Sequence, residues 1–235
     1  MKSPEKVIAI VPARSGSKGV KNKNIKLLNG QPLLSYPIIA AKKSKLVDKV
    51  ILTTDSEKYA EIGRSFGAEI PFIRSDELSN DKSLRSDVII DVIKRFPDYK
   101  TLIYLEPTSP LTTADDIDNS LKLFLGNKLG AKSLVSIAES PTHHPIYSII
   151  KEKNNIIKPY ILKSFDEMII NRQDLKKIYF FDGSLYISNC SYFVEKKEFY
   201  HNKTMGIILD EYKSIEIDNE NDFNLVEFLI NERFK

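Results

Sequence analysis

Cysteine is nearly absent from the sequence. Cys190 is the only one, which excludes an intrachain disulfide and a cysteine-rich zinc site, and we expect it to be a small buried apolar residue. No apolar run approaches the roughly 20 residues of a membrane-spanning helix, and the N-terminal apolar run is too short for a signal peptide. With 35 basic and 32 acidic residues, the charge is too balanced for bulk binding to nucleic acid or a membrane. These features predict a reduced, cytoplasmic protein with neither kind of partner.

Strand patterns and helix patterns alternate along residues 1–138 and again near the C-terminus. Short Val- and Ile-rich runs predict buried strands, and apolar residues at helical spacing predict helices. This alternation is typical of an α/β protein with a mostly parallel, doubly wound sheet, here one domain over 1–235. The predicted strands cover 7–11, 49–55, 69–73, 101–110, 133–138, 183–188, 206–209 and 213–218, and the predicted helices cover 32–45, 57–66, 87–96, 113–125 and 220–232.

Two of these helices carry predictions about single residues. Thr113 stands three residues before Asp116, an arrangement that resembles a capping box at a helix N-terminus. In the C-terminal helix, the pattern predicts that Leu225, Phe228 and Leu229 face the core.

Residues 139–180 interrupt the alternation with scattered Pro and Asn and several short apolar pieces. We interpret them as an insertion, with a β-arm used in dimerisation as one possible form. His143 and His144 are neighbours, and neighbouring side chains point apart on both helices and strands, which argues against a metal pair. A loop role is favoured for them, with contact to a substrate or a second subunit as the alternative.

The stretch IAIVPARSGSKGVKNKNI (8–25) leads from a strand into a basic Gly/Ser loop without any acidic residue. The loop matches neither the P-loop pattern nor the dinucleotide pattern, because Lys18 precedes Gly19 and too few glycines are present. Small residues nevertheless expose backbone N–H groups, and basic side chains neutralise phosphate. The position at the carboxyl end of the first strand favours a phosphate-binding site over a solvated surface loop.

Carboxylates stand at other predicted strand ends. Glu216 and Asp218 are two residues apart on a predicted strand and would share one face. Two such groups near a basic loop could hold Mg²⁺, or one could act as a base; the alternative is a solvated strand end or helix cap. Asp55 most simply ends its strand, while Glu106 and Ser109 follow another.

The motifs PARSGSKGVKNKNI, LLSYPIIAA, TTDSEKYAEIGRSFGAEIPFIR, LEPTSPL and SIEIDNENDF together resemble the acylneuraminate cytidylyltransferase family. That family includes CMP-sialic acid synthetases and relatives that act on legionaminic or pseudaminic acid. The resemblance is colinear over nearly the whole chain. It implies a Rossmann-like nucleotidyltransferase fold, a homodimer, and Mg²⁺-dependent transfer of CMP from CTP to the anomeric hydroxyl of a nine-carbon 2-keto sugar acid.

The resemblance also implies roles for single residues. Arg14 and Lys23 would hold the triphosphate, Arg74 would read the cytosine, and Asp218 would bind Mg²⁺. Glu216 would be a second metal ligand or the base. The other residues implied in nucleotide binding are Ala13, Ser17, Lys18 and Asn24, and those implied in sugar binding are Glu106, Ser109, Arg172, Asp182 and Tyr186.

Several positions depart from the family pattern. The family often has Gln at Glu106, Asp at Glu216, Asn at Asp182, and Arg at Thr112 and Phe180. These changes add negative charge near a substrate that carries a carboxylate. Either Lys176 or Lys177 compensates for it, or the sugar carries a cationic or differently acylated amine.

Two further hypotheses remain open at this point. One is a nucleotidyltransferase for another sugar, such as an eight-carbon keto acid or a sugar phosphate. The other is a nucleotide- or nucleic-acid-binding module without catalysis, which the nearly neutral charge and the lack of basic–aromatic interleaving disfavour.

Overall fold

A six-stranded sheet forms the centre of the computed structural model, which describes residues 5–16, 20–140, 144–168 and 171–233, with the backbone alone for Arg172 and Arg233. The strands of the chain are β1 (Val7–Pro12), β2 (Leu27–Leu28), β3 (Gln31–Pro32), β4 (Lys49–Thr53), β5 (Thr101–Tyr104), β6 (Ser133–Glu139), β7 (Ile149–Lys151), β8 (Ile157–Pro159), β9 (Tyr179–Asn189) and β10 (Thr204–Ile208). The order in the sheet is β10-β6-β9-β5-β1-β4. Only β9 runs antiparallel to its neighbours, so the predicted mostly parallel sheet is confirmed.

Helices cover both faces of this sheet. They are α1 (Ser35–Lys43), α2 (Glu57–Ser65), α3 (Arg85–Arg95), α4 (Ala114–Leu125), α5 (Cys190–Lys196) and α6 (Glu220–Arg233). Along β1, Val7, Ala9 and Val11 pack in one buried cluster with residues of α1 and α4, whereas Ile8 and Ile10 pack in another with residues of α3 and α5. A strand buried on both faces requires such a continuous apolar run, which is why β1 was visible in the sequence.

The predicted capping box is present at the start of α4. The Asp116 N–H donates to Thr113 Oγ1 at 3.3 Å, and the Thr113 N–H donates to Asp116 Oδ2 at 2.8 Å. Each side chain therefore satisfies a backbone group that the first turn of the helix leaves unpaired.

Two predicted strands are wrong. Residues 213–218 form the end of a 3₁₀ turn (Glu211–Ser214) and then an extended segment outside the sheet, tied to the loop after β5 by the Ile217 N–H, which donates to Thr108 O at 2.8 Å. Residues 69–73 make one isolated bridge, between Ile51 and Glu69. Pro71 has no N–H to extend that ladder.

The buried face of α6 also differs from the prediction. Phe223, Val226 and Ile230 are buried against Leu28, Leu33 and Leu111, whereas Leu225 and Phe228 are 47% and 60% exposed and Leu229 is half-buried. The helix carries apolar residues on more than one face, so periodicity alone could not choose between them. The choice is made by the β2–β3 hairpin, on which α6 packs.

In the region predicted as an insertion, Glu139 ends β6 and Tyr179 begins β9, and the described residues between them add no strand to the central sheet. The described part of the region holds the antiparallel β7–β8 pair and several 3₁₀ turns. Large apolar side chains are exposed along it: Ile149, Ile150, Ile156, Ile157, Tyr160, Ile161 and Phe165. That 139–180 is a dimerisation insertion in a single domain stays a prediction. No helix within the described ranges is both long and apolar enough to cross a bilayer.

Candidate active site

A cleft of about 520 Å³ opens at the carboxyl ends of β1 and β5. Three parts of the chain form it: the loop after β1, the stretch from Arg74 to Arg85, and the loop after β5 together with Asp218. Ligands of open α/β sheets bind at this edge because the loops that follow the strands converge there. We call the part around Arg14 and Lys23 the β1 side, and the part around Arg85 and Glu106 the β9 side.

The loop after β1 is held in place by Asp55, which follows β4. The Ser15 N–H donates to Asp55 Oδ1 at 2.8 Å, and Ser15 Oγ donates to Oδ2 at 2.9 Å. Asn24 Nδ2 donates to Arg14 O at 3.0 Å, which closes the loop from its other end. Asp55 is thus an anchor for the loop as well as the end of a strand, and Arg14 is presented to the cleft, with Asp81 Oδ1 3.0 Å from its Nη1.

Of the other residues predicted to bind nucleotide, Ala13 is buried and its N–H donates to Thr53 O. Arg74 is also largely buried; it lines the cleft and donates from Nε to Ser79 Oγ at 3.1 Å. Burial lowers the pKa of Arg74, and the Asp55 carboxylate opposes that shift. Ser17 and Lys18 lie outside the described residues.

Lys23 joins the basic loop to the carboxylate segment, although they are far apart in the sequence. Its Nζ donates to Ile217 O at 2.7 Å and lies 3.5 Å from Asp218 Oδ1. The same Ile217 is bonded through its N–H to Thr108. The structure therefore brings the two predicted motifs together at one end of the cleft, without the strand that was expected to carry Glu216 and Asp218.

Glu216 lies among other carboxylates. Its pKa is raised to about 7, first by burial and then by Glu106, Asp218 and Asp182, while Lys23 opposes the shift. It also lies against the backbone of Gly183, where a Cβ would collide with Glu216 Oε1. Gly183 also has a φ of 75°, a backbone conformation that residues with a side chain disfavour. Both the collision with Glu216 and the backbone conformation therefore favour glycine at this position.

Most residues predicted to bind the sugar are buried behind the cleft. Asp182 Oδ1 accepts hydrogen bonds from the Ser184 N–H, at 3.0 Å, and from Ser136 Oγ. Ser109 Oγ donates to Gly183 O at 3.3 Å, and Tyr186 is buried in an aromatic cluster. Arg172 lies in a 3₁₀ turn, Arg172–Asp174, and only its backbone is described. Of the four whose side chains are described, Glu106 lines the cleft.

Arg85, which no sequence pattern indicated, is the cation beside Glu106. Its Nη1 lies 3.5 Å from Glu106 Oε1, and its guanidinium carbon lies 4.8 Å from the centre of the Tyr186 ring. Of the two lysines offered as compensation for the added negative charge, Lys177 pairs with Glu139 on the surface, and the cation beside Glu106 is Arg85. The one available signal was a cation at the start of a helix, where carboxylates are usual.

His144 and Cys190 do not line the cleft. His144 caps a 3₁₀ turn by accepting the Ile146 N–H at 3.3 Å, and His143 lies outside the described residues. Cys190 is buried as predicted, and burial raises the pKa of its thiol to about 12.

A comparison with known families settles the relationship of the chain. Residues 8–232 match the family described as Cytidylyltransferase. The chain belongs to this family. Among solved structures, a CMP:2-keto-3-deoxy-manno-octonic acid synthetase complexed with CTP aligns with a TM-score of 0.71 at 13% identity, covering 97% of this chain and 99% of that one. A 4-diphosphocytidyl-2C-methyl-D-erythritol synthase from Anaerococcus prevotii aligns with 0.66 at 12% identity, covering 97% of both. These likenesses confirm the nucleotidyltransferase-type fold.

Curated relatives of this cytidylyltransferase share more of its sequence. An N-acylneuraminate cytidylyltransferase of Escherichia coli O18:K1:H7 is 34% identical over 225 residues, which are 94% of this chain and 51% of the relative. A CMP-N,N'-diacetyllegionaminic acid synthase of Legionella pneumophila is 30% identical over 96% of both chains. A pseudaminic acid cytidylyltransferase of Campylobacter jejuni is 28% identical over 95% of this chain and 96% of the relative. The chain thus spans about half the length of the first relative and nearly all of the other two.

The carboxylates of the cytidylyltransferase cleft fit a magnesium ion shared with a nucleotide. Within the described ranges, no group of three or more His, Cys, Asp or Glu residues forms a metal site. Mg²⁺ usually takes only one or two protein carboxylates and completes its shell with water and phosphate oxygens. Glu216 and Asp218 could supply that number. Burial is the main cause of the raised pKa of Glu216, and the neighbouring carboxylates add to it; a bound cation would relieve their part.

Proposed function

We propose that this cytidylyltransferase transfers CMP from CTP to the anomeric hydroxyl of a sialic-acid-like, nine-carbon 2-keto sugar acid. The hydroxyl oxygen forms a bond to the α-phosphorus, the bond from that phosphorus to the bridging oxygen breaks, and pyrophosphate leaves with the electron pair. The observation that carries the proposal is the position of Lys23 between the basic loop and Asp218. It puts phosphate-binding and cation-binding groups at one end of one cleft.

The β1 side would hold the nucleotide. Arg14 and Lys23 would neutralise the leaving pyrophosphate, with Ser17 and Lys18 in the same loop. Asn24 would keep that loop closed through its bond to Arg14 O. Ala13 would position the loop at the end of β1, and Arg74 would lie near the cytosine. Such transfers require little covalent chemistry from the protein, because positioning and charge neutralisation lower most of the barrier.

Asp218 would hold Mg²⁺, which supplies further neutralisation of the phosphate charge when it is bound. Glu216 would be either a second ligand or the group that accepts the proton of the sugar hydroxyl. A pKa of about 7 is compatible with both roles, since it leaves the carboxylate partly ionised near neutral pH. A cytoplasmic location, predicted from the sequence, belongs to the same proposal.

The β9 side would receive the sugar acid. Glu106 would contact it directly, while Ser109, Asp182 and Tyr186 would shape the wall from behind and Arg172 would approach from the 3₁₀ turn. The similar proteins support a nonulosonic acid, because their names specify N-acylneuraminate, N,N'-diacetyllegionaminic acid and pseudaminic acid.

The same proposal includes a homodimer formed through the insertion at 139–180. A patch of exposed Ile, Tyr and Phe side chains on this scale is unusual on a monomer and favours a covered surface. Light scattering on the purified protein should give twice the mass of one chain. Ile150→Glu and Ile157→Glu together should give the mass of one chain.

The reaction is tested by pyrophosphate release and by mass spectrometry of the products. CTP and Mg²⁺ are supplied with neuraminic, legionaminic and pseudaminic acids and with an eight-carbon keto acid. We expect a CMP-sugar from at least one nine-carbon acid and little product from the eight-carbon acid. Turnover with UTP or GTP but never with CTP would contradict the proposal.

A further inference from the structure

Arg85 occupies a position where its helix does not favour a cation. It is the first residue of α3, and the preceding Leu84 offers no side-chain cap. The N-terminus of a helix carries a partial positive charge, so a guanidinium there is repelled while the carboxylate of Asp87 is attracted. A residue that conflicts with its local structure is commonly explained by what it contacts at a functional site.

An aromatic cage surrounds the Arg85 guanidinium. Its central carbon lies 4.8 Å from the ring centre of Tyr186, 5.8 Å from that of Phe199 and 5.9 Å from that of Tyr104. All three rings are buried and pack on one another, with centroids 5.1 to 6.2 Å apart. The cage is therefore a fixed support, and it restricts the positions that the guanidinium can take.

The cage directs Arg85 toward Glu106. Nη1 lies 3.5 Å from Glu106 Oε1, and Thr108 Oγ1 donates to Oε2 at 3.4 Å. Burial raises the pKa of Glu106, and the Arg85 guanidinium is the strongest opposing group, followed by Thr108 and Lys23. Arg85 and Thr108 each approach one oxygen of Glu106, so the remaining lone pairs of that side chain can accept a hydrogen bond from a ligand that covers it.

The pair lies at the end of β5 and over β9, whereas the basic loop follows β1, on the other side of β5. Arg14 follows β1 and Glu106 follows β5, while Tyr186 lies on β9, the next strand across the sheet. Neighbouring strands are about 4.8 Å apart, so Arg85 over Tyr186 is one to two strand spacings from the end of β1. A nucleotide bound by its phosphates on the β1 side leaves the β9 side to the second substrate.

We propose that Arg85 is a positioning residue for the sugar acid. It holds the Glu106 side chain in a fixed orientation, so that Glu106 accepts a hydrogen bond from a hydroxyl or amide N–H group of the sugar. This inference rests on the proposed function and specifies how its sugar site reads the substrate. It also answers the charge problem raised by the sequence: the carboxylate is neutralised within the protein, so no cationic sugar is needed to explain Glu106.

The test is a double-mutant cycle on Arg85 and Glu106 with the best sugar acid from the substrate panel. Arg85→Met should lower kcat/KM for the sugar by about tenfold or more, since it leaves a buried carboxylate without its counterion. The KM for CTP should stay within about twofold of the wild-type value. Adding Glu106→Gln to Arg85→Met should recover part of the loss, about threefold or more, because a neutral amide needs no counterion.

Two other variants separate a local effect from a general loss of structure. Arg95→Met is the control, because Arg95 is on the same helix but does not line the cleft. Like Arg85, it lies over an aromatic ring, with its guanidinium carbon 4.0 Å from the centre of the Phe72 ring, and it pairs with a carboxylate, Asp91. This variant should leave both KM values unchanged. Arg85→Lys keeps the charge and should lose less sugar kcat/KM than Arg85→Met, so it replaces that variant if the methionine protein does not fold.

The outcomes distinguish this inference from the function on which it rests. If the wild type turns over a sugar acid but the double variant is no better than Arg85→Met, the positioning role is wrong. A rise in the KM for CTP equal to that for the sugar would place Arg85 on the nucleotide instead. Absence of wild-type turnover with every nonulosonic acid, despite CTP binding, would overturn the proposed function and this inference with it.

Discussion

The two sides of the cleft hold their arginines in different ways. On the β1 side, Arg14 pairs with Asp81 at the surface, where both side chains are well exposed and such a pair is worth only about 0–1 kcal/mol. On the β9 side, Arg85 pairs with Glu106 beside buried aromatic rings. The two arginine side chains are similarly exposed, at 38% for Arg14 and 33% for Arg85, but Asp81 is 53% exposed and Glu106 only 24%. A ligand phosphate can therefore replace Asp81 as the partner of Arg14 at little cost in free energy, whereas the ion pair of Arg85 with Glu106 is kept when a ligand binds. The β1 side suits a substrate of high charge, and the β9 side suits one recognised by hydrogen bonds.

The largest expected effect concerns the carboxylate that would hold the metal on the β1 side. Asp218→Asn should lower kcat by about 10²–10³-fold, because electrostatic stabilisation of the transferring phosphate is lost. CTP binding in EDTA, measured by calorimetry, should persist, since the Asn keeps the shape of the side chain. Glu220→Gln is the matched control, because Glu220 is an exposed neighbour that pairs with Lys26. Turnover like that of the wild type in Asp218→Asn would contradict the metal role.

Arg14→Ala should have the next largest effect. The loss of a charge-assisted contact to phosphate should cost about 2–3 kcal/mol of transition-state stabilisation, seen as a fall of roughly 10²-fold in kcat/KM for CTP. Steady-state kinetics with each substrate varied in turn measures this. A change confined to the KM for the sugar would assign Arg14 to the β9 side and break the comparison between the two.

Gly183→Ala tests the contact between the Glu216 side chain and the backbone of β9. Gly183 and Gly130 share a φ of 75°, but a Cβ at Gly183 would collide with Glu216, while a Cβ at Gly130 meets nothing within 4 Å. Both alanine variants should lose about 1–2 kcal/mol of stability from the left-handed backbone. Only Gly183→Ala should also lower kcat, because it displaces Glu216. Equal kcat in the two variants would argue against a role for the position of Glu216.

The site at the strand ends was predictable because the relevant signals are local. Polar residues follow the buried strands β1 and β5, and they identify the edge of the sheet at which Arg14 and Glu106 both line the cleft. Glu216 and Asp218 were found for a partly wrong reason. They are carried by a segment with no sheet partner, held by the bonds of Ile217 to Lys23 and Thr108. The sequence shows that Glu216 and Asp218 stand on either side of an apolar residue, Ile217. It does not show that Ile217 is hydrogen-bonded to Lys23 and Thr108.

Arg85 and the buried face of α6 depend on contacts between distant parts of the chain. The aromatic rings around Arg85 come together because β9 lies antiparallel beside β5. The sequence near Arg85 contains no pattern that predicts this strand pairing. In α6, Phe223 and Phe228 are equally apolar, and only the β2–β3 hairpin decides that Phe223 is the buried one. Both features are set by tertiary packing, which overrides the local pattern.

The prediction with the smallest expected effect tests whether the buried aromatic cluster beneath the β9 side is rigid. Cys190 belongs to the same buried cluster as Tyr104, Tyr186 and Phe199, and burial raises its pKa to about 12. At pH 8 the thiol is therefore protonated and enclosed, so Ellman's reagent should react with it only when the protein unfolds. We expect native protein at least about 100-fold slower than protein in urea. An equally slow reaction in native Arg85→Met would show that the aromatic cage persists without the guanidinium. Fast labelling of the native wild type would show that the buried cluster opens, and the β9 side would then be no more rigid than the β1 side.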